Sequence, residues 1–297
     1  MGPTGQVARL ANLRIAGANE AMEKSTASVH VNLKDVTKVF HRAGQTDVHA
    51  LGPIDLDLRR GEFFAVVGPS GCGKSTLLEL LAGLTQASTG KVEFEGSRIA
   101  DRIPDGVGVV FQEDACFPWL TVSENIEFGL KQARVPRAER VRRVADALEM
   151  MGLGVFAGHY PAQLSGGMRQ RVCIARTLVL EPRLILLDEP FGALDQQTRL
   201  IMGEEVLKLW RGTGATVFLI THALDEAAML ADRIGVMSAR PGRLLEVIET
   251  GWPRERDSRI VESPDFGQIT ARLWQLLREQ SILAIGKTGA NAGGGGS

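Results

Sequence analysis

The sequence predicts an α/β fold, a parallel sheet with helices on both faces and a helical subdomain inserted into it. Two observations carry this. Short unbroken apolar runs recur between helical stretches: Phe63–Val67, Val107–Phe111, Leu184–Leu187, Val217–Ile220 and Ile234–Met237. Runs this short without polar alternation are strands buried on both faces, as a parallel sheet with crossover helices requires. By contrast, residues from about 113 to 180 carry helical periods and little strand pattern.

The elements follow in order. Val29, Val31, Leu33 and Val36 indicate a first strand. Ile54, Leu56 and Leu58 alternate with Asp55, Asp57 and Arg59, a strand with one face toward water. Phe63–Val67 lies between Gly61 and Gly68, and a helix led by Leu77, Leu78 and Leu81 is expected from about Lys74 to Leu84. Thr121 with Glu124 forms a capping box that opens a helix carrying Val122, Ile126 and Leu130. Val141, Val144, Ala145, Leu148 and Met151 make the next amphipathic stripe. Val172, Ala175 and Val179 share one face of a helix that starts after Ser165. Phe266, Ile269, Leu273, Leu276 and Leu277 suit a last helix packed on the core.

Along the 297 residues this gives a mobile extension at 1–28, a main domain at 29–255 and a helical segment at 256–285. A flexible glycine-rich tail follows at 286–297, whose last five residues resemble an engineered linker. Composition is that of an ordinary globular chain, with 44% hydrophobic and 23% charged residues. The net charge of -1 offers no general field for nucleic acid, so no nucleic-acid partner is expected. No apolar stretch is long enough to span a bilayer, and residues 1–28 lack the apolar core of a secretory signal. Cys72, Cys116 and Cys173 are odd in number and not at metal-ligand spacing, which fits a reducing cytoplasm.

Chemistry enters at Gly68-Pro69-Ser70-Gly71-Cys72-Gly73-Lys74-Ser75-Thr76, a match to G-x-x-x-x-G-K-[ST]. A chance match in a chain of this length is on the order of one in a hundred. The context is also right, because an apolar strand precedes the loop and a helix follows it. Glycines bring bare N–H groups against phosphate oxygens, and the helix dipole favours the anion. Lys74 supplies a point charge for the β- and γ-phosphates, and Ser75 a hydroxyl for Mg²⁺. ATP and Mg²⁺ are therefore the expected ligands. Leu184–Leu187 then delivers Asp188 and Glu189 to a strand end, where α/β sheets build their sites. Asp188 is expected to hold Mg²⁺ through water, and Glu189 to polarise the attacking water as general base.

A second glycine motif, Leu164-Ser165-Gly166-Gly167-Met168-Arg169-Gln170-Arg171, starts 24 residues before Asp188. It resembles the signature sequence of ABC transporter ATPases, and other motifs agree in order and spacing. Gln112 matches the Q-loop glutamine that senses the metal and the attacking water, and Ala193-Leu194-Asp195 matches the D-loop. His222 matches the switch histidine, and Phe40 stands where the family places an aromatic ring under adenine. The resemblance covers about residues 30 to 280. It implies an ABC-type P-loop NTPase with a RecA-like, mixed or parallel sheet core. It also implies ATP hydrolysis at two composite sites of a head-to-tail dimer, an identical copy or a close paralogue serving as second ATPase subunit. Each site would use Lys74, Ser75, Gln112, Asp188, Glu189 and His222 of one subunit and Ser165, Gly166 and Gly167 of the other.

Phe117-Pro118-Trp119-Leu120-Thr121-Val122, Tyr160-Pro161 and Ala239-Arg240-Pro241-Gly242-Arg243 are similar to the nitrate/sulfonate/taurine class of importers. Transmembrane permease subunits are then expected to dock near Phe117–Leu120, on an exposed pair of aromatic rings. A solute-binding protein would act through them, and the chain would lie on the cytoplasmic face of the inner membrane. Two features depart from the family: Met168 replaces a glutamine, and Ala223 follows His222 where Asp is frequent. Cys72, in the phosphate loop at a helix N-terminus, is a place that favours thiolate, although a small filler suffices there. Two alternatives remain: a soluble ABC ATPase outside transport, or a catalytically inactive ATP-binding regulatory subunit. Ser165 follows Gln112 by only 53 residues, which leaves no room for a coiled-coil insertion. Intact Glu189 and His222 disfavour the inactive form.

Overall fold

The computed structural model describes residues 28–41, 44, 46–100, 102–112, 115–192 and 194–292, with side chains as far as residue 282. The expected extension, apart from Ser28, and residues 293–297 lie outside the described residues.

Two sheets form. The first is antiparallel, built from β1 (Val29–Phe40), β2 (Val48–Arg59), β4 (Thr89–Phe94) and β5 (Ser97–Arg98) in the order β2-β1-β4-β5. The second holds the apolar runs: β3 (Phe63–Val67), β6 (Val107–Val110), β7 (Leu184–Asp188), β8 (Thr216–Ile220), β9 (Arg233–Met237) and β10 (Leu244–Glu249). Its order is β10-β9-β3-β8-β7-β6, parallel except for β10. Every residue of β3, β7 and β8 is buried, as their unbroken apolar sequences require.

Strand alternation divides the core in two. Phe63, Ala65, Val67, Ile185, Leu187, Val217 and Leu219 face one cluster, shared with the helices of the insert and the C-terminal half. Phe64, Val66, Leu184, Leu186, Phe218 and Ile220 face the other, shared with the antiparallel sheet. Helix α1 (Lys74–Leu81) lies in that second layer through Leu77, Leu78 and Leu81. Each such side chain taken from water stabilises the fold by about 1.5–3 kcal/mol. His30 of β1 joins the two sheets, its Nδ1 lying 2.6 Å from Thr216 Oγ1.

The insert contains α2 (Val122–Gln132), α3 (Arg137–Met150) and α4 (Gly166–Leu178), with α2 packed on both others. Thr121 accepts a hydrogen bond from Glu124 N and completes the expected capping box. Beyond β7 come α5 (Gln196–Thr213), α6 (Leu224–Leu230) and α7 (Pro264–Ala292).

Four sequence expectations shift. Helix α1 stops at Leu81 because Gly83 adopts φ +70°, and a Cβ there would lie 2.3 Å from the Arg102 carbonyl oxygen. The strand from Val107 ends at Val110, leaving Phe111 exposed. The buried stripe of α3 is Val144, Ala147, Leu148 and Met151, whereas Val141 and Ala145 are exposed. The i, i+3, i+4, i+7 seam starting at Val144 turns those two side chains off the contact. Finally, α7 continues to Ala292, past the expected start of a flexible tail at Gly286. Its glycines cost a helix only about 1 kcal/mol each, and no proline interrupts it.

Candidate functional site

The phosphate loop leaves β3 and enters α1 through Gly71 (φ +71°) and Gly73 (φ +110°), backbone that only glycine adopts without strain. A Cβ at Gly73 would also meet Leu51 Cδ2 at 2.6 Å and the Ala50 carbonyl oxygen at 2.8 Å. The start of β2 therefore abuts the loop. Leu51 pairs with Lys38, two residues before Phe40, so the end of β1 lies on that side of the site. The Phe40 ring is part-exposed, with the Lys38 ammonium 4.9 Å from its centroid. Lys74 is buried, and its Nζ donates to the carbonyls of Gly68 at 2.9 Å and Pro69 at 3.2 Å. Cys72 is buried as well, and burial pushes its thiol up, so the expected thiolate character at this helix end is lost.

Asp188 and Glu189 end β7, beside α1. Burial pushes the Asp188 carboxyl up, opposed by a hydrogen bond from the Ser75 hydroxyl. Glu189 leaves the strand with φ +46°, a left-handed conformation that costs a non-glycine residue on the order of 1 kcal/mol. Its N–H holds to the Ile220 carbonyl at 2.9 Å. Its carboxylate collects two side chains from neighbouring strand ends. Gln112 Nε2 donates to Glu189 Oε2 at 3.0 Å, and His222 Nδ1 lies 3.2 Å from the same oxygen. Three residues distant in sequence thus meet at one carboxylate oxygen, at the C-terminal ends of β6, β7 and β8.

The second glycine motif opens α4. Ser165 is its N-cap and accepts a hydrogen bond from Met168 N at 3.3 Å. A Cβ on Gly167 would lie 2.4 Å from Leu194 Cδ2, so this glycine lets residue 194 close over the helix start. Asp195 caps α5, accepting from Thr198 N at 3.0 Å and from the Thr198 hydroxyl at 2.6 Å. These bonds hold its carboxyl below the usual range. Ala193 lies outside the described residues.

The segment after Gln112 displays Trp119, 70% exposed. Phe117, expected to be exposed, is half-buried. Its ring packs on Phe128 at 4.6 Å between centroids and lies under the Arg176 guanidinium. Asn125, fully buried, pins this turn: it accepts from Phe117 N and donates to the carbonyls of Phe117, Leu120 and Thr121.

Comparison with known proteins gives these motifs a family. The ABC transporter family model matches residues 51–192. An uncharacterized ABC transporter ATP-binding protein of Methanocaldococcus jannaschii is 41% identical over 271 residues, 90% of this chain and 98% of the relative. The chain belongs to the ABC transporter ATP-binding subunits. This ABC ATPase is also 42% identical to the taurine import ATP-binding protein TauB of Rhizobium johnstonii, over 84% of this chain and 97% of the relative. It is 39% identical to the nitrate import ATP-binding protein NrtD of Synechocystis sp., over 84% and 96%. A solved dimeric ATP-binding cassette, in a post-hydrolysis state with ADP and Pi, superimposes with a TM-score of 0.66 at 34% identity. That match covers 74% of this chain and 98% of the cassette. The ABC ATPase binds and hydrolyses ATP. Among the described residues no helix is long and apolar enough to cross a membrane.

Two supports of the ABC ATPase site have no role in the motif reading, which takes 239–243 only as a likeness to importers and leaves Glu226 out. Arg240 Nε donates to the Gly71 carbonyl at 3.0 Å, and a Cβ on Gly242 would lie 2.1 Å from the Cys72 carbonyl oxygen. The 239–243 turn thus closes onto the phosphate loop from 170 residues downstream. Thr221 donates to Glu226 Oε2 at 3.0 Å and accepts from Ala223 N at 3.0 Å, fastening both sides of His222. Glu226 thus braces the histidine loop through Thr221. Only the E-A dipeptide after the histidine could have pointed to it.

Proposed function

We propose that this chain is the ATP-hydrolysing motor of an importer, working as a head-to-tail dimer beneath separate permease subunits. The observation that carries the reading is the meeting of Gln112 and His222 on one oxygen of Glu189. A carboxylate so placed can accept a proton from water while the glutamine and histidine orient water and the terminal phosphate.

The remaining roles follow from chemistry. The carbonyls of Gly68 and Pro69 hold Lys74 Nζ where phosphate oxygens would replace them. The loop from Gly68 to Thr76 supplies N–H donors, and Phe40 stacks on adenine. Ser75 and Asp188 already share a hydrogen bond, a pair of hard oxygen donors that fits Mg²⁺, with Gln112 alongside. When bound, Mg²⁺ would neutralise charge on the β- and γ-phosphates. Ser165, Gly166 and Gly167, at an exposed helix N-terminus between Leu164 and Met168, suit the γ-phosphate held by a second copy. Asp195 stays a helix cap at the same edge. Trp119 and the half-buried Phe117 offer a permease helix its socket. The cargo is nitrate, taurine, an alkanesulfonate or a related small solute, supported by the likeness to nitrate and taurine import proteins. The location that follows is peripheral, on the cytoplasmic face of the inner membrane.

ATP turnover by wild type and Glu189→Gln tests the motor assignment. The variant keeps ATP binding and loses roughly 100-fold or more in kcat, the scale of a general base. Equal, slow hydrolysis by both proteins excludes the motor. Stimulation of the reconstituted complex by its solute-binding protein, loaded with each candidate in turn, identifies the cargo.

A further inference from the structure

Cys116 and Cys173 stand 57 residues apart in sequence, yet their sulfurs are 3.5 Å apart. Cys116 is part-exposed, four residues beyond Gln112 in the coil that leads into the helical insert. Cys173 is buried in α4, eight residues beyond Ser165. A disulfide needs its sulfurs at about 2.05 Å, so closure asks for an approach of about 1.5 Å. Cys116 lies outside any helix or strand ladder, which leaves its backbone able to supply that movement.

We infer that Cys116 and Cys173 are a redox modification site, joined reversibly by peroxide, and that the bridge slows ATP turnover. The Cys116 thiolate attacks one oxygen of hydrogen peroxide. The O–O bond breaks, hydroxide leaves and takes up a proton as water, and Cys116 becomes a sulfenic acid. The Cys173 sulfur then attacks the Cys116 sulfur, the S–O bond breaks, and a second water departs with the Cys173 proton. Two thiols lose two electrons in all, and one peroxide is reduced to two waters.

The surroundings explain why this pair reacts. The Arg176 guanidinium donates to the Ala115 carbonyl at 2.8 Å and lies over the Phe117 ring, holding the residues on either side of Cys116, while the Cys116 thiol donates to the Arg169 carbonyl at 3.4 Å, on the same helix as Cys173. Cys72 has neither exposure nor a lowered pKa, since burial pushes its thiol up. The bridge would tie the coil behind Gln112 to the helix behind Ser165. Gln112 serves its own subunit's nucleotide and Ser165 a neighbour's, so a covalent tie stops them adjusting independently. The effect on turnover rests on those proposed roles; the disulfide does not.

The test uses the purified full-length chain with hydrogen peroxide, thiol blocking, proteolysis and mass spectrometry, with ATP turnover measured in parallel. A cross-linked peptide pair containing residues 116 and 173 is expected, together with at least a fivefold fall in turnover. Dithiothreitol should reverse both. Cys116→Ser and Cys173→Ala should keep their untreated turnover under the same peroxide. Separate recovery of the two cysteine peptides, alkylated or over-oxidised, overturns the modification site. A bridge with unchanged turnover, or equal losses in both variants, overturns its control of the ATPase.

Discussion

Glu226 sits beneath the loop that carries His222, 95% buried, with one oxygen on Thr221 and the other without a partner among the described residues. Burial pushes its pKa up to about 7, with Glu189 adding to the rise against the Thr221 bond and Arg199. The unfolded chain titrates this carboxyl near 4.5. Between those values the folded protein holds a proton that the unfolded chain has lost, so stability falls as pH rises, by up to about 3 kcal/mol. In Glu226→Gln that fall is absent. Thermal melting should show the variant gaining on wild type from pH 5 to pH 7.5, and parallel curves would refute the assignment. Motif reading reaches Glu189, Gln112 and His222 because their roles demand fixed side chains at fixed spacing. It passes over Glu226, and it reaches Arg240 and Gly242 only as part of a family likeness, because the work of all three is to hold other residues.

Among the elements, the helical insert carries two surfaces with different tasks. In the proposed dimer the N-terminus of α4 would face a neighbour's nucleotide, and the turn before α2 presents Trp119 while Asn125 fixes its backbone. Replacing Trp119 with Asp removes an exposed ring from a turn that keeps its own hydrogen bonds, so the chain should fold normally. Co-purification with the permease should weaken about tenfold or more, the scale of a tryptophan anchor at an interface. Unchanged recovery would move the docking surface elsewhere. The buried strands were legible because unbroken apolar runs have one use in this fold class. The antiparallel sheet was less so: β4 reads Thr-Gly-Lys-Val-Glu-Phe and buries only Val92 and Phe94. Its place beside β1 comes from tertiary pairing, which local pattern does not encode. On α3 the expected Val144, Leu148 and Met151 are buried, and only Val141 and Ala145 give way to Ala147, since packing against the neighbouring helices sets the edge of the stripe.

For the whole molecule, the proposed site is complete only when Ser165 of one copy reaches the nucleotide of another. With ATP, Mg²⁺ and the Glu189→Gln background, which stops hydrolysis, the particle mass in solution should double. Adding Ser165→Arg should return it to a monomer, and a dimer that survives this change would place the contact elsewhere. The 239–243 turn has a consequence for biosynthesis. Strand β3 carries the phosphate loop, but its two neighbours in the sheet are β8 and β9, and Arg240 and Gly242 close the loop from beyond both. On the ribosome, the glycines of the phosphate loop emerge after β2 but long before β8, β9 and the 239–243 turn. A nascent chain therefore lacks these supports of its phosphate loop until Gly242 has been added.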